Sequence, residues 1–272
     1  MSTRRTAPSL VALLLLVSST AHAQSDQSTP EFVTDRPGYT ETTSIVGRGF
    51  VQFEMGTTFE ANRVLDAEDR TLSTPLALVR LGLSRRVELR ASTDGYILDW
   101  LRGGTVSSTT TGEADFEIGT KVMLTNGSWN GVRMALLPMV SLPTGSKDMS
   151  SGTFDPTIKF CWETDLPRRF SLSGNVNVMR LDDDRGRLTE QVVTLSLGRD
   201  LLRGWSGYWE VFGFIPRNRP GTAAWTLDTG VTHPIGGNAQ LDVEVGHGTT
   251  TAATDWSIGV GVGLRTSFRR GR

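Results

Sequence analysis

Reactive side chains are few in this chain: three histidines, one cysteine and a large number of charges. Serine hydrolysis would need a histidine poised to activate a serine, with a third group orienting the ring. His22 lies in the N-terminal leader, and His233 precedes Pro234 and reads as a turn residue. His247 stands between Gly246 and Gly248; Ser257 or Ser146 could be drawn towards it, but no spacing asks for either. "GWSG" (Gly204–Gly207) lacks the spacing of a nucleophile elbow. The remaining histidines and Cys161 do not have metal-ligand spacing. "LDDDRGR" (Leu181–Arg187) could attract a hard cation but reads better as a solvated loop. "LPTGSKDMS" lacks the glycine pattern of a phosphate-binding loop. The expectation is therefore no catalytic residue, no metal and no cofactor.

The informative residues are charges that recur with a period of two. In "LALVRLGLSRRVELR" (Leu76–Arg90), Val79, Leu81, Leu83, Val87 and Leu89 share one face, and Arg80, Glu88 and Arg90 the other. A three-residue turn, Ser84 to Arg86, sets Arg80 opposite Arg90 with Glu88 diagonal to both, close enough to neutralise part of their repulsion. Further on, Asp115, Glu117 and Lys121 oppose Phe116, Ile118, Val122 and Leu124. Such an array has two readings. It is the solvated face of a sandwich, or it is the lumen of a barrel whose apolar face meets lipid.

The elements that carry these charges favour the lumen. Alternation places strands near 50–60, 72–83, 87–98, 114–125, 131–142, 153–164, 169–180, 188–199, 205–215, 223–233, 239–248 and 255–268. These are close to the ~9–11 residues a tilted strand needs to cross a bilayer, and longer than the ~5–6 usual in soluble sheets. Aromatics gather towards strand ends (Phe50, Phe154, Trp162, Phe170, Trp205, Trp225, Trp256, Phe268), as in barrel girdles. The connectors alternate between polar loops such as "DWLRGGTVSSTTTG" and turns such as "SRR", which puts both termini on the short-turn, periplasmic rim. The fold class is all-β: a transmembrane antiparallel up-and-down barrel of about 12 strands.

The N-terminus agrees with that location. Arg4 and Arg5, the apolar run "LVALLLLV" (Leu10–Val17) and "AHA" (Ala21–Ala23) make residues 1–23 a secretory signal peptide, too short in its apolar part to anchor a membrane. A single cysteine allows no internal disulfide. The net charge of −1 becomes −3 without Arg4 and Arg5, which gives no reason to invoke nucleic acid. Residues 24–48 form a polar periplasmic leader with no alternation, and residues 49–272 form the barrel. Export to the bacterial outer membrane implies outer-membrane lipid, a small-molecule solute and the barrel-assembly machinery as partners.

Five stretches carry a family resemblance: "VTDRPGYTET" (Val33–Thr42), "FVQFEMG" (Phe50–Gly56), "STPLALVRLGLSRRVELR" (Ser73–Arg90), "GEADFEIGTKVML" (Gly112–Leu124) and "VSLPTG" (Val140–Gly145). Together they resemble the MetA-pathway phenol-degradation family of outer-membrane proteins. The resemblance implies a transporter-like barrel linked to uptake of aromatic compounds, and supplies no catalytic residues. One departure from barrel habit is the end of the chain, where "RRGR" follows Phe268.

The leading expectation is a channel for passive passage of small molecules, lined by Arg80, Glu88, Arg90, Asp115, Glu117 and Lys121. The alternatives are an outer-membrane lipid hydrolase, or a structural barrel in which those charges only fill and rigidify the interior. Asp35 and Arg36 lie in the leader, which either plugs the barrel mouth or trails as a tail. Arginine should be tolerated better at Gly261 than at lipid-facing Val260 if Gly261 faces the lumen, steric bulk there counting against it.

Overall fold

The computed structural model describes residues 30–268 apart from 65, 104, 105 and 184; the expected signal peptide lies outside the described residues. Fourteen antiparallel strands form one sheet: β1 (Phe50–Val64), β2 (Ala67–Gly82), β3 (Val87–Thr93), β4 (Tyr96–Gly103), β5 (Val106–Glu113), β6 (Phe116–Trp129), β7 (Val132–Leu142), β8 (Asp155–Leu166), β9 (Phe170–Asp183), β10 (Gly186–Asp200), β11 (Ser206–Pro216), β12 (Ala224–Pro234), β13 (Ala239–Gly248) and β14 (Trp256–Ser267). β1 pairs with both β14 and β2, so the sheet closes on itself.

The ring has twelve strands. β3 and β4 pair with successive stretches of β2 in continuous register (Ala77↔Thr93, then Thr74↔Tyr96) and so form one strand broken at Asp94–Gly95. β5 and β6 are likewise one strand broken at Ala114–Asp115 (Tyr96↔Glu113, then Thr93↔Phe116). All twelve fall where alternation placed them. Among the described residues no helix is long and apolar enough to cross a membrane; the strands cross it.

Polarity is inverted relative to a soluble sheet. Ile118, Ile158, Val243, Ile258 and Val260 are exposed, the last two at 50%. Gln52, Glu54, Arg80, Glu88, Lys121, Asn175 and Asn177 are at most 1% exposed. Exposing that much apolar surface suits only a protein solvated by lipid, whereas the hydrogen-bonding side chains turn inward, where most of them bond one another or the leader.

The outer rim corrects the sequence reading. Three segments expected as loops are strand. β1 and β2 run to Val64 and back from Ala67, β4 reaches Gly103 before β5 begins at Val106, and β9 reaches Asp183 before β10 starts at Gly186. Above the bilayer both faces of a strand meet water, so the alternation that marks a strand inside the membrane fades. Polar cross-strand pairs take over: Arg63 lies opposite Glu68, and Arg187 opposite Asp182. The acidic crowd at 181–187 is met by arginines, with Asp183 bonded to Arg219. Real loops remain at 143–154, 217–223 and 249–255.

Candidate functional site

The interior is built from inward positions of the strands and from the leader, which lies inside the ring. Residues 31–49 begin beside the C-terminal strand, where the Arg265 guanidinium covers the Phe32 ring. They reach Tyr39, which stacks on Phe212 at 4.9 Å and meets Phe214 edge-on at 5.2 Å. They then return to β1, where Phe50 N–H donates to Gly47 O.

One side of the lumen is cationic. Arg80 (β2) bonds Glu88 (β3) through Nε at 2.9 Å and Glu54 (β1) through Nη1 at 3.0 Å. Arg90 (β3) lies 3.4 Å from the same Glu88. Register sets Arg80 opposite Arg90 and Glu88 opposite Gly82, the diagonal arrangement expected from the turn. Lys121 (β6) and Lys159 (β8) complete the group. Wall carboxylates Glu54 and Glu88 match part of this charge, and the leader supplies the rest. Asp35 lies 3.2 Å from Arg80 and 2.9 Å from Lys121 and also pairs with Arg90. Glu41 lies 2.8 Å from Arg90 and 2.9 Å from Lys159.

Burial alone would push the Asp35 carboxyl up. The Coulombic pull of Arg80, Lys121 and Arg90 overcomes it and holds the group well below the usual carboxylate range. Glu41 is likewise held down, against its burial, chiefly by Arg90 and Lys159.

The opposite side is acidic. Glu210 (β11), Asp228 (β12), and Asp242 and Glu244 (β13) sit on adjacent strands. The leader meets Glu210, Asp242 and Glu244 with donors. Arg36 pairs with Asp242 at 3.1 Å, Gly38 N–H donates to Glu244 at 2.8 Å, and Tyr39 and Thr40 N–H donate to Glu210 at 2.7 Å. Gly38 has φ +87°, a left-handed conformation that turns its N–H to the wall without a side chain in the way.

Glycines on the inner face make room for this. A Cβ at Gly56 or Gly261 would collide with the Arg36 guanidinium. Gly261 faces the lumen as expected, but it is roofed by Arg36, so an arginine there would not be a mild change.

The six wall residues singled out by sequence therefore divide. Arg80, Glu88, Arg90 and Lys121 converge in one network sealed beneath the leader. Glu117 is half-buried and accepts a hydrogen bond from Ser92 at 3.2 Å. Asp115 lies at the break between β5 and β6, where it accepts from Thr144 N–H, Gly145 N–H and Ser150 Oγ and so pins the 143–154 loop. Asp35 and Arg36 each reach wall charges, on opposite sides. Sequence reasoning passed over Glu41, Glu54, Lys159, Glu210, Asp242 and Glu244. Glu54, Lys159, Asp242 and Glu244 obey the same two-residue period, whereas Glu41 has no period to reveal it. Of the described histidines, His233 stacks on Trp205 at 4.6 Å, and His247 lies against Trp256 with Nδ1 2.8 Å from Asp255 O.

A closed ring with lipid-facing apolar residues and a charged, chain-filled lumen defines an outer-membrane β-barrel. The sequence matches the family described as "Putative MetA-pathway of phenol degradation" over residues 34–266, and the chain belongs to that family. Among solved structures it is similar to the COG4313 outer membrane channel from Pseudomonas putida F1, with TM-score 0.61 and 12% identity, covering 82% of this chain and 98% of that one. It is also similar to the translocator domain of the autotransporter NalP from Neisseria meningitidis, with TM-score 0.52 and 10% identity, covering 81% and 89%. At such identities the likeness is one of fold. No curated protein matches the sequence.

Proposed function

We propose that the protein is a passive channel of the outer membrane for small solutes, aromatic compounds among them, closed at rest by its own leader. The observation that carries this reading is the two-sided match of the leader, acidic side chains to the cationic wall and donors to the acidic wall. A segment serving only to brace the barrel has no need to be complementary to both walls. A polar cavity of about 210 Å³ remains between the leader and β9–β12, lined by Thr34, Thr40, Ser173, Ser196 and Glu210 among others. It supports a narrow path beside the leader that widens when the leader shifts. The channel reading assigns the buried charges a role in selection, and the family name supports aromatic cargo.

The test is planar-bilayer conductance of the full mature chain and of an Asp35→Asn/Arg36→Gln variant. Small unitary steps in the wild type and several-fold larger ones in the variant are expected. An absence of conductance from both, in correctly folded barrels, would end the channel reading.

A further inference from the structure

Tyr39 and Glu41 occupy a place that the barrel wall builds without them. Register across four strands puts Lys159, Asn177, Val192 and Phe214 in one row, and Cys161, Asn175, Thr194 and Phe212 in the next. Phe212 and Phe214 hold the Tyr39 ring by stacking and by an edge contact. Val192, with no exposed surface, supplies an apolar inward position in the same row. Lys159 Nζ lies 5.9 Å from the centre of the Tyr39 ring and 2.9 Å from the Glu41 carboxylate, and Arg90 Nη2 lies 2.8 Å from the other Glu41 oxygen. One ammonium thus faces both an aromatic ring and a carboxylate.

Asn177 adds an independent observation. It stands opposite Lys159, is fully buried, and has no hydrogen-bond partner for Oδ1 or Nδ2 among the described residues. A buried amide with both ends unmatched is costly unless something else bonds it. The leader supplies a ring and a carboxylate to this place but nothing for the amide.

We infer that this row is a binding site for an aromatic carboxylate, and that Tyr39 and Glu41 are its intrachain stand-ins. The inference rests on the channel reading for its biological sense and names the solute class for it. The ligand's ring takes the position of Tyr39 between Phe212 and Phe214. Its carboxylate takes that of Glu41 at Lys159 and Arg90. A polar substituent on the ring, or a carboxylate oxygen, bonds Asn177. Binding and leader withdrawal are then one event, because ligand and leader compete for the same groups.

The experiment measures binding of 4-hydroxyphenylacetate, by calorimetry in detergent, to the full mature chain and to a Tyr39→Ala/Glu41→Ala variant checked for heat-modifiable folding. Removing the internal competitor should tighten binding at least tenfold. Adding Phe212→Ala or Lys159→Met should abolish the gain. Phenol alone and acetate alone should bind at least tenfold more weakly than the linked acid. Glu41→Gln, which preserves volume, should show a smaller gain of the same sign and serves if the double variant misfolds. Equal binding to wild type and folded variants would overturn the site. So would a gain that survives both wall substitutions, or phenol and acetate binding as well as the acid, which is the signature of a bare hole. Calorimetry does not depend on conduction, so a barrel that binds the acid yet passes no current would refute the channel and leave the site standing.

Discussion

The two walls of the lumen carry opposite charge but are stabilised differently. On the cationic wall, Arg80 is fixed by Glu54 and Glu88, which belong to the barrel itself, and the leader's Asp35 and Glu41 add to a network already half-built. On the acidic wall, Glu210, Asp242 and Glu244 depend mainly on leader donors, namely one guanidinium, three backbone N–H groups and the Thr40 hydroxyl, with one long bond to Glu244 from the barrel's Tyr208. The first wall is therefore a structural centre that the leader also uses. The second is mainly a receptor for the leader. Losing a residue from the first should cost the fold, and losing one from the second should cost closure.

The largest effect is expected at Arg80. Its replacement by Met leaves the buried Glu54 without a cationic partner and takes one of two from Glu88 and one of three from Asp35, and breaking a buried charge pair in this way costs about 3–5 kcal/mol. Thermal unfolding in detergent should show a markedly lower Tm. A Tm within error of wild type would mean that the cationic wall is not structural. Next comes the outer surface, where Val260→Arg puts a charge into lipid at a cost of ~2–4 kcal/mol and should reduce the folded fraction in outer-membrane preparations. Normal recovery would contradict a lipid-facing Val260. Asp242→Asn should cost less, about 1 kcal/mol, because Arg36 is partly solvated and keeps a neutral acceptor. Its stronger signature should be raised conductance.

The smallest effect is on pH. Asp35 and Glu41 have carboxyls held below their ordinary values in the folded chain, so their contribution to leader docking is complete above the usual carboxylate range. It is lost as the pH falls through the depressed folded values. Through these two groups, conductance should rise only in strong acid, below about pH 5. A rise near neutrality would point to other groups.

Much of this architecture was legible in the sequence. Twelve strands and the inverted polarity follow from alternation, because a strand buried in lipid on one face and lined with charge on the other has no other pattern available. The Arg80–Glu88–Arg90 triangle follows from a turn length. Legibility failed in three places, for physical reasons. The hairpins above the membrane, such as Arg63 to Glu68, stand in water on both faces and lose the period. Asp115 shares its face with Lys121 by parity, but a break at Ala114–Asp115 turns it to the 143–154 loop. The leader's partners, above all Glu41 on Lys159 and Arg36 on Asp242, join residues far apart in the chain that no local pattern connects.

One segment thus neutralises two oppositely charged walls. Reversal potential under a salt gradient, measured for wild type, Asp35→Asn and Arg36→Gln, separates the two. Asp35→Asn leaves Arg80, Arg90 and Lys121 with less counter-charge and should shift permeation towards anions. Arg36→Gln uncovers Asp242 and should shift it towards cations. Both shifts should shrink as salt screens the lumen. Opposite signs are the predicted result; shifts of the same sign, or none in folded proteins, would contradict the account.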